Sequence, residues 1–458
     1  MKELDLLEGK ILPTMLRLAA PLMGTAFIQL FYSLTDMAWI GRISTEAVAA
    51  AGVGGFLLWL ASSFVMVPRI GLSILTAQFY GRRDRDRVKL AINNGVWMGL
   101  IMGVLYGLFL YFFRDPLIQF YRLEGPVNAL AEDYLVIIAM GMPIFFINPV
   151  LSGAYNSLGN SRTPFRINAI GLVTNIIGDP LLIFGLGPFP ELGIRGAALA
   201  TVSAQVIILF CFIFVIVKSQ DLVYHSKLLS FTYRKGIFAD TFKLGLPAAL
   251  QSAFHASISI ILNRYVSVYG AIALAVTSIG SNIESISWVT TEGFANAITA
   301  FSGQNYGAGL SSRMEEIFHT SMKSVGTIGI LATVILITFR NHLYKLFVPG
   351  DMEAIALGAS YLFILGLSQF FMSIEIGSTG FLNGLGETRL PALINTLLNI
   401  SRIPLSLILM PSLGPAGVWW AMTLSSVVKG ILLYILARCR LNKLGLSKKC
   451  YNEWRRKI

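Results

Sequence analysis

The chain has 458 residues, 55% of them hydrophobic and 13% charged. Soluble domains carry about 25% charged residues, so a soluble globular protein is excluded and a polytopic membrane protein remains. The formal net charge of +12 does not point to nucleic acid. The basic residues sit in short segments between apolar runs and in the C-terminal tail, which is the pattern of cytoplasmic loops.

The apolar runs fall at about 14–40, 47–79, 90–113, 131–155, 165–187, 195–217, 240–268, 271–302, 320–339, 355–381, 390–411 and 415–437, each long enough to cross a bilayer. All are expected to be helices, because lipid offers no partner to an open sheet edge. The fold class is therefore all-α, with about twelve transmembrane helices. The N-terminal stretch MKELDLLEGKILPTMLRLAA carries no cleavable-signal pattern. Gly81–Lys89, Lys218–Lys243 (with Lys227, Arg234 and Lys235) and the tail (Arg438, Arg440, Lys443, Lys448, Lys449, Arg455, Arg456, Lys457) are basic. In a twelve-span count they share one side, which predicts cytoplasmic termini. Lys429, late in the last span, is expected to snorkel toward that side. Cys211, Cys439 and Cys450 form no disulfide framework and no metal-ligand spacing.

The sequence repeats itself. Ala20-Pro21 matches Leu246-Pro247, a shift of 226 (247 − 21). Gln78-Phe79-Tyr80-Gly81 matches Gln304-Asn305-Tyr306-Gly307 at the same shift. Asn156, Gly159, Pro164 and Asn168 match Asn383, Gly386, Pro391 and Asn395, shifted by 227 (383 − 156). Two lobes of six spans are expected, residues 1–225 and 226–458. Six is even, so the lobes are parallel repeats about an axis along the membrane normal, an arrangement typical of transporters.

The residues that carry chemistry stand out as acids in apolar spans. Asp36 is the only charged residue between Arg17 and Arg42. A carboxylate there costs about 2.5–3.5 kcal/mol on insertion scales and is a functional candidate by default. An interface-level Asp snorkelling toward Arg42, about 9 Å away along a helix, is the bland alternative. Asn175 and Asp179 stand at i and i+4 and share a helix face. Pro180 removes a backbone donor there. Thr201 lies in a span of small residues. These four residues would make a hard-oxygen cage for Na⁺, or a site for a proton shared between carboxylates. The alternatives are an Asn175–Asp179 pair that only sets packing and a Thr201 hydroxyl bonded to its own i−4 carbonyl.

The second half does not repeat this set: Arg402 and Ser406 stand where a shift of 227 carries Asn175 and Asp179. One coupling-ion site, in the first half, follows. Tyr32, Gln29, His255, Glu284 and Glu375 are candidates for substrate binding or proton relay, with Glu292 a further acid of the second half. His255 would either take a proton near neutral pH or sit neutral and hydrogen-bonded. The acids would meet a cationic substrate or pair with Arg264 or Arg402. Aromatic and methionine side chains would favour flat, cationic, apolar ligands. No nucleophile elbow and no phosphate loop is present, so neither an enzyme nor direct use of ATP is expected.

Thr35-Asp36-Met37-Ala38-Trp39-Ile40-Gly41, Ala20-Pro21, Gln78-Phe79-Tyr80-Gly81, Asn156-Ser157-Leu158-Gly159 and the run Asn175–Gly185 resemble the multidrug and toxic compound extrusion (MATE) family. The resemblance implies a V-shaped, two-lobed antiporter that exports organic cations in exchange for Na⁺ or H⁺ and contributes to drug resistance. It carries the cation-site role to Asp36, Asn175, Asp179 and Thr201, with Asp36, Asn175 and Asp179 holding Na⁺ if sodium is the coupling ion. His255 stands where the NorM-like branch has a carboxylate in the seventh helix, which favours the DinF-like branch. The expected protein is a monomer in the plasma (inner) membrane, in contact with lipid and without a cofactor other than the coupling ion. A lipid-linked oligosaccharide flippase of the same superfamily is the alternative; it should carry several cavity arginines, for which Arg69, Arg264 and Arg402 are the candidates.

Overall fold

The computed structural model describes residues 4–121, 126–218 and 234–457, with side chains described as far as Leu444. The junction expected at 225/226, Lys227, and the side chains of Lys448, Lys449, Cys450, Arg455, Arg456 and Lys457 lie outside the described residues.

Among the described residues every regular element is a helix. In chain order they are α1 (Ile11–Ile40), α2 (Thr45–Gly81), α3 (Arg85–Phe112), α4 (Arg114–Phe120), α5 (Pro126–Ser157), α6 (Arg162–Ile183), α7 (Ile194–Lys218), α8 (Lys235–Ser267), α9 (Ala271–Gly307), α10 (Ser311–Thr338), α11 (Arg340–Phe347), α12 (Met352–Gly366), α13 (Gln369–Gly384), α14 (Arg389–Ile400), α15 (Arg402–Leu413) and α16 (Ala416–Lys457). Eleven stretches are long and apolar enough to cross a membrane, α14 and α15 together forming one; α12 and α13, bent by 44°, make the twelfth. The all-α, twelve-span expectation holds, with broken rather than straight spans in the second half.

Local chemistry accounts for the breaks and ends. Pro404 cannot donate to Ile400 and its ring crowds that carbonyl, so the helix interrupts at Ser401 between α14 and α15. At the α12–α13 break, the Ser368 hydroxyl donates to the Leu365 carbonyl at 2.8 Å, competing with the helical ladder. Gly159 and Gly386, 227 apart, both take a positive φ (86° and 83°) just after α5 and α13, a backbone state that a residue without a Cβ adopts freely. At the ends of α2 and α9 the repeat diverges. Gly309 has φ 71°, whereas Arg83 reaches φ 60° with a side chain, alone among the described non-glycine residues.

The chain divides into two compact units, Gly24–Ala249 and Asp5–Met23 with Leu250–Ile458. The division runs through α1 and α8, so residues 11–23 of α1 belong to the second unit and residues 235–249 of α8 to the first. Both switch points lie three residues after an in-helix proline, Pro21 and Pro247. Small residues hold the exchanged pieces. In the first unit, a side chain on Gly71 would strike the Thr241 backbone and one on Gly245 the Val67 backbone. Close backbone approach of this kind is what small residues permit in membrane helices. In the second unit, Leu6 is fully buried and its carbonyl accepts from Asn305 Nδ2 at 2.9 Å. Gly71→Val is expected to lower stability by about 1–3 kcal/mol, the usual range for overpacking, read as an earlier thermal midpoint in detergent.

Each unit has its own apolar core. In the first, Leu57, Tyr134, Leu135, Ile138, Met142 and Phe146 pack with residues of α3 and α7. In the second, Tyr344, Tyr361, Leu362 and Trp419 centre the packing. Buried polar atoms on the large aromatics find partners: Tyr106 donates to the Leu57 carbonyl at 2.8 Å and Trp419 Nε1 to Thr277 Oγ1 at 3.2 Å. Large apolar side chains such as Phe120, Phe210, Phe214 and Ile408 face outward, as lipid contact requires.

Candidate functional site

The four residues expected to form a cation site come together in the first unit, from three helices. Asp36 is on α1, near its C-terminal end, Asn175 and Asp179 on α6, and Thr201 on α7. Asn175 and Asp179 are fully buried and Thr201 nearly so, while Asp36 is half-buried. Asn175 Nδ2 donates to Asp179 Oδ1 at 3.0 Å. The Thr201 hydroxyl points to Asp36 Oδ1 at 3.4 Å, the long limit of a hydrogen bond, rather than to its own i−4 carbonyl. The Tyr32 hydroxyl donates to the Thr201 carbonyl at 3.2 Å. The two carboxylates lie within reach of each other's charge.

Two features leave this cluster short of partners. Asp179 Oδ2 and Asn175 Oδ1 are buried oxygens without a hydrogen-bond donor, and a buried acceptor left unmatched costs about 1–3 kcal/mol. In addition, neither acid makes an ion pair with a basic side chain among the described residues. Arg42 stacks over the Trp39 ring at 4.6 Å, so it does not draw Asp36 outward. Two carboxylates, an amide oxygen and a hydroxyl are hard donors suited to a small alkali cation or a proton. Among the described residues no group of three or more His, Cys, Asp or Glu side chains is placed to hold a metal, so the amide and hydroxyl must complete any shell here.

Tyr134 on α5 was not singled out from the sequence. It is buried, packs where a side chain on Gly54 would stand, and lies within electrostatic reach of Asp36, Tyr32 and Asp179. Nothing in the Tyr134 sequence context marks it, because aromatics are abundant throughout the chain. Gln29 is exposed, and the hydrogen bonds that tie α1 to Thr201 come from Tyr32 and Asp36 instead.

The remaining candidates belong to the second unit and form a separate set. Glu284 accepts from Gln369 Nε2 at 2.9 Å and from the Tyr361 hydroxyl at 3.5 Å. Glu375 pairs with Lys429, Nζ lying 3.0 Å from Oε2 and 3.0 Å from Oε1. The expectation that Lys429 snorkels to the surface is therefore corrected: it is buried, because α16 packs on α13 and a buried carboxylate faces it. The expected alternative partners of the acids, Arg264 and Arg402, are not in ion-pair contact with Glu375. His255 is exposed, with Nδ1 3.4 Å from Asn399 Nδ2.

The MatE family model matches residues 21–181 and again 247–408. The two matches start 226 residues apart (247 − 21), the spacing of the internal repeat. A probable multidrug resistance protein NorM of Thermotoga maritima is 27% identical over 430 residues, covering 91% of this chain and 90% of that protein. A FAD transporter of Shewanella oneidensis is 23% identical, covering 94% and 96%. A solved MATE structure in the bent conformation superposes with a TM-score of 0.91 at 22% identity, covering 98% of this chain and 99% of that one. With twelve spans, an internal repeat at the family's own spacing and both copies of the family's domain, the chain belongs to the MatE family of multidrug and toxic compound extrusion transporters.

Proposed function

We propose that the protein is a cation-coupled antiporter that exports organic cations, taking up Na⁺ or H⁺ at Asp36, Asn175, Asp179 and Thr201. The observation that carries this reading is the pair of buried, unmatched oxygens on Asn175 and Asp179, in a cluster whose two acids have no basic ion-pair partner among the described residues. Such a site is incomplete without a cation or a proton. Loading neutralises the intramembrane acids and lets the end of α1 repack. Exchange then requires only that ion and drug favour different states of the protein. The two lobes, 1–225 and 226–458, would be the moving parts. The Thermotoga relative supports a multidrug cargo. The basic segments support a plasma-membrane protein with both termini in the cytoplasm. A monomer in lipid suffices for the site, because all four residues come from one unit.

The test uses purified protein in liposomes loaded with a fluorescent organic cation, with a Na⁺ gradient and a pH gradient imposed separately. Transport driven by one gradient identifies the coupling ion. Transport driven by neither overturns the antiport reading. Parallel liposomes loaded with flavin adenine dinucleotide, or carrying a lipid-linked sugar, measure the two competing cargoes in the same assay.

A further inference from the structure

The α2–α3 turn of the first unit carries charge that the fold does not use. Residues 82–89 hold five basic and two acidic side chains, a net charge of +3. At the repeat shift of 226 they correspond to 308–315, which hold one basic and one acidic residue and no net charge. Both turns follow an even-numbered span, so the rule that places basic residues on one side of a membrane applies to them equally. Orientation alone therefore leaves the excess in the first unit unexplained.

The contacts narrow that excess to three residues. The Asp84 side chain caps α3, accepting from the Arg87 backbone N–H at 3.1 Å, and pairs with Arg87 Nε at 3.3 Å. Arg87 also lies over the Phe79 ring at 5.8 Å. Arg313, the counterpart of Arg87, donates to the carbonyls of Glu8 and Gly9 at 3.1 and 3.0 Å. Both of these arginines hold the fold. Arg82, Arg83 and Arg85 are exposed, and none of them makes an ion pair among the described residues. Their counterparts are Ala308, Gly309 and Ser311, so the same turn forms without them. Arg83 even stands at φ 60°, where Gly309 has φ 71°, a backbone state that a Cβ disfavours. The turn itself would be easier to form with glycine at position 83, which leaves the side chain as the reason for an arginine.

Depth in the membrane identifies what these side chains meet. The apolar run of the third span starts at about residue 90, so Arg85 lies about 7 Å outside it along α3. The polar headgroup layer on each side of the hydrocarbon core is about 5–7 Å thick. Long basic side chains at this level extend along the interface, and basic clusters next to a membrane helix attract anionic lipids. A guanidinium presents a planar fork of donors that matches a phosphate.

We propose that the α2–α3 turn of the first unit is a docking surface for anionic phospholipid, with Arg82, Arg83 and Arg85 binding the headgroup phosphate. The second unit has no equivalent surface at its α9–α10 turn, where the one arginine is engaged with the backbone at Glu8 and Gly9. Asp84 is held by Arg87, and Asp86 is the one other acid in the turn, so three free arginines outweigh it.

The test is binding of fluorescently labelled phosphatidylglycerol, and of labelled phosphatidylcholine with the same acyl chains, to the purified full chain in neutral detergent. Phosphatidylglycerol should bind more tightly. Arg82→Ala/Arg83→Gly/Arg85→Ser installs the second unit's own residues and should weaken its binding by about tenfold or more, leaving phosphatidylcholine unchanged. Arg83→Gly alone should weaken phosphatidylglycerol by about threefold with a thermal midpoint equal to wild type or higher, because the positive φ no longer carries a Cβ. Equal phosphatidylglycerol affinity in the triple variant and wild type overturns the proposal, as does equal affinity of wild type for the two lipids. Displacement of the label by inorganic phosphate at the concentrations at which the lipid binds would assign the turn to free phosphate and overturn the lipid assignment. If the triple variant does not fold, Arg83→Gly decides: a lower midpoint with unchanged phosphatidylglycerol binding would make the arginine part of the fold and overturn the proposal. No step uses transport, so an error in the antiport reading would leave these outcomes unchanged and appear only in the liposome assay.

Discussion

Asp36→Asn is expected to weaken coupling-ion binding by about ten- to a hundredfold, the equivalent of one charged interaction worth about 1.5–3 kcal/mol, and to abolish gradient-driven export at ordinary ion concentrations. The substitution preserves shape. The asparagine oxygen still accepts from Thr201, which now points to Asp36 Oδ1, so the local fold survives while the charge is lost. Asp179→Asn should act in the same direction, since Asn175 Nδ2 keeps an oxygen to donate to. Stability separates this outcome from damage. Each change removes one of two like charges held near each other in a poorly solvated place, and like charges there oppose each other. Both variants should therefore unfold no earlier than wild type. The measurement is export rate against Na⁺ and against pH, beside the thermal midpoint. Normal coupled export by either variant would sink the site. Loss of export with an early midpoint would show misfolding instead and return the question to the fold.

Which parts of this arrangement were legible in the sequence depends on how local each signal is. The spans were readable because bilayer thickness imposes a run length, and the repeat because matched Pro, Gly and Asn residues recur at one spacing. Asn175 and Asp179 were readable as a pair because helical geometry alone places i and i+4 together. Asp36 and Thr201 were legible only as costly or polar residues in apolar spans; that they meet depends on packing of α1 with α7. The span expected over 390–411 as one run is broken between α14 and α15, where Pro404 supplies the cause, whereas the α12–α13 break contains no proline and rests on a serine competing for a carbonyl. The exchange of α1 and α8 between units was not legible, because it is decided by glycines such as Gly71 and Gly245 that look like every other glycine in the chain. The burial of Lys429 has a related reason. A lysine near a span end snorkels unless an acid on another helix meets it, and Glu375 lies 54 residues away in the chain.

The buried Lys429–Glu375 pair carries a second large effect. Lys429→Met is expected to destabilise the protein by about 3–5 kcal/mol, because it leaves Glu375 buried and unpaired. The geometry makes this pair unlike the other ion pairs among the described residues. Lys429 Nζ is 3.0 Å from each oxygen of Glu375, and the two side chains are 6% and 10% exposed. The Arg87–Asp84 pair, by contrast, is 59% and 36% exposed, where an ion pair contributes about 0–1 kcal/mol. Glu375→Gln should be costly too, since it strands an ammonium that has three donors to satisfy. The double variant Lys429→Met/Glu375→Gln should recover most of the loss, because the cost of each single change lies in the abandoned partner rather than in the pair itself. Thermal midpoints of the four proteins give the coupling. A double variant as unstable as Lys429→Met alone would mean that the two side chains are held by their surroundings independently, and that the pair does not neutralise itself. Recovery would instead show that Lys429 and Glu375 neutralise each other within the second unit, whereas Asp36 and Asp179 of the first unit make no ion pair with a basic side chain among the described residues.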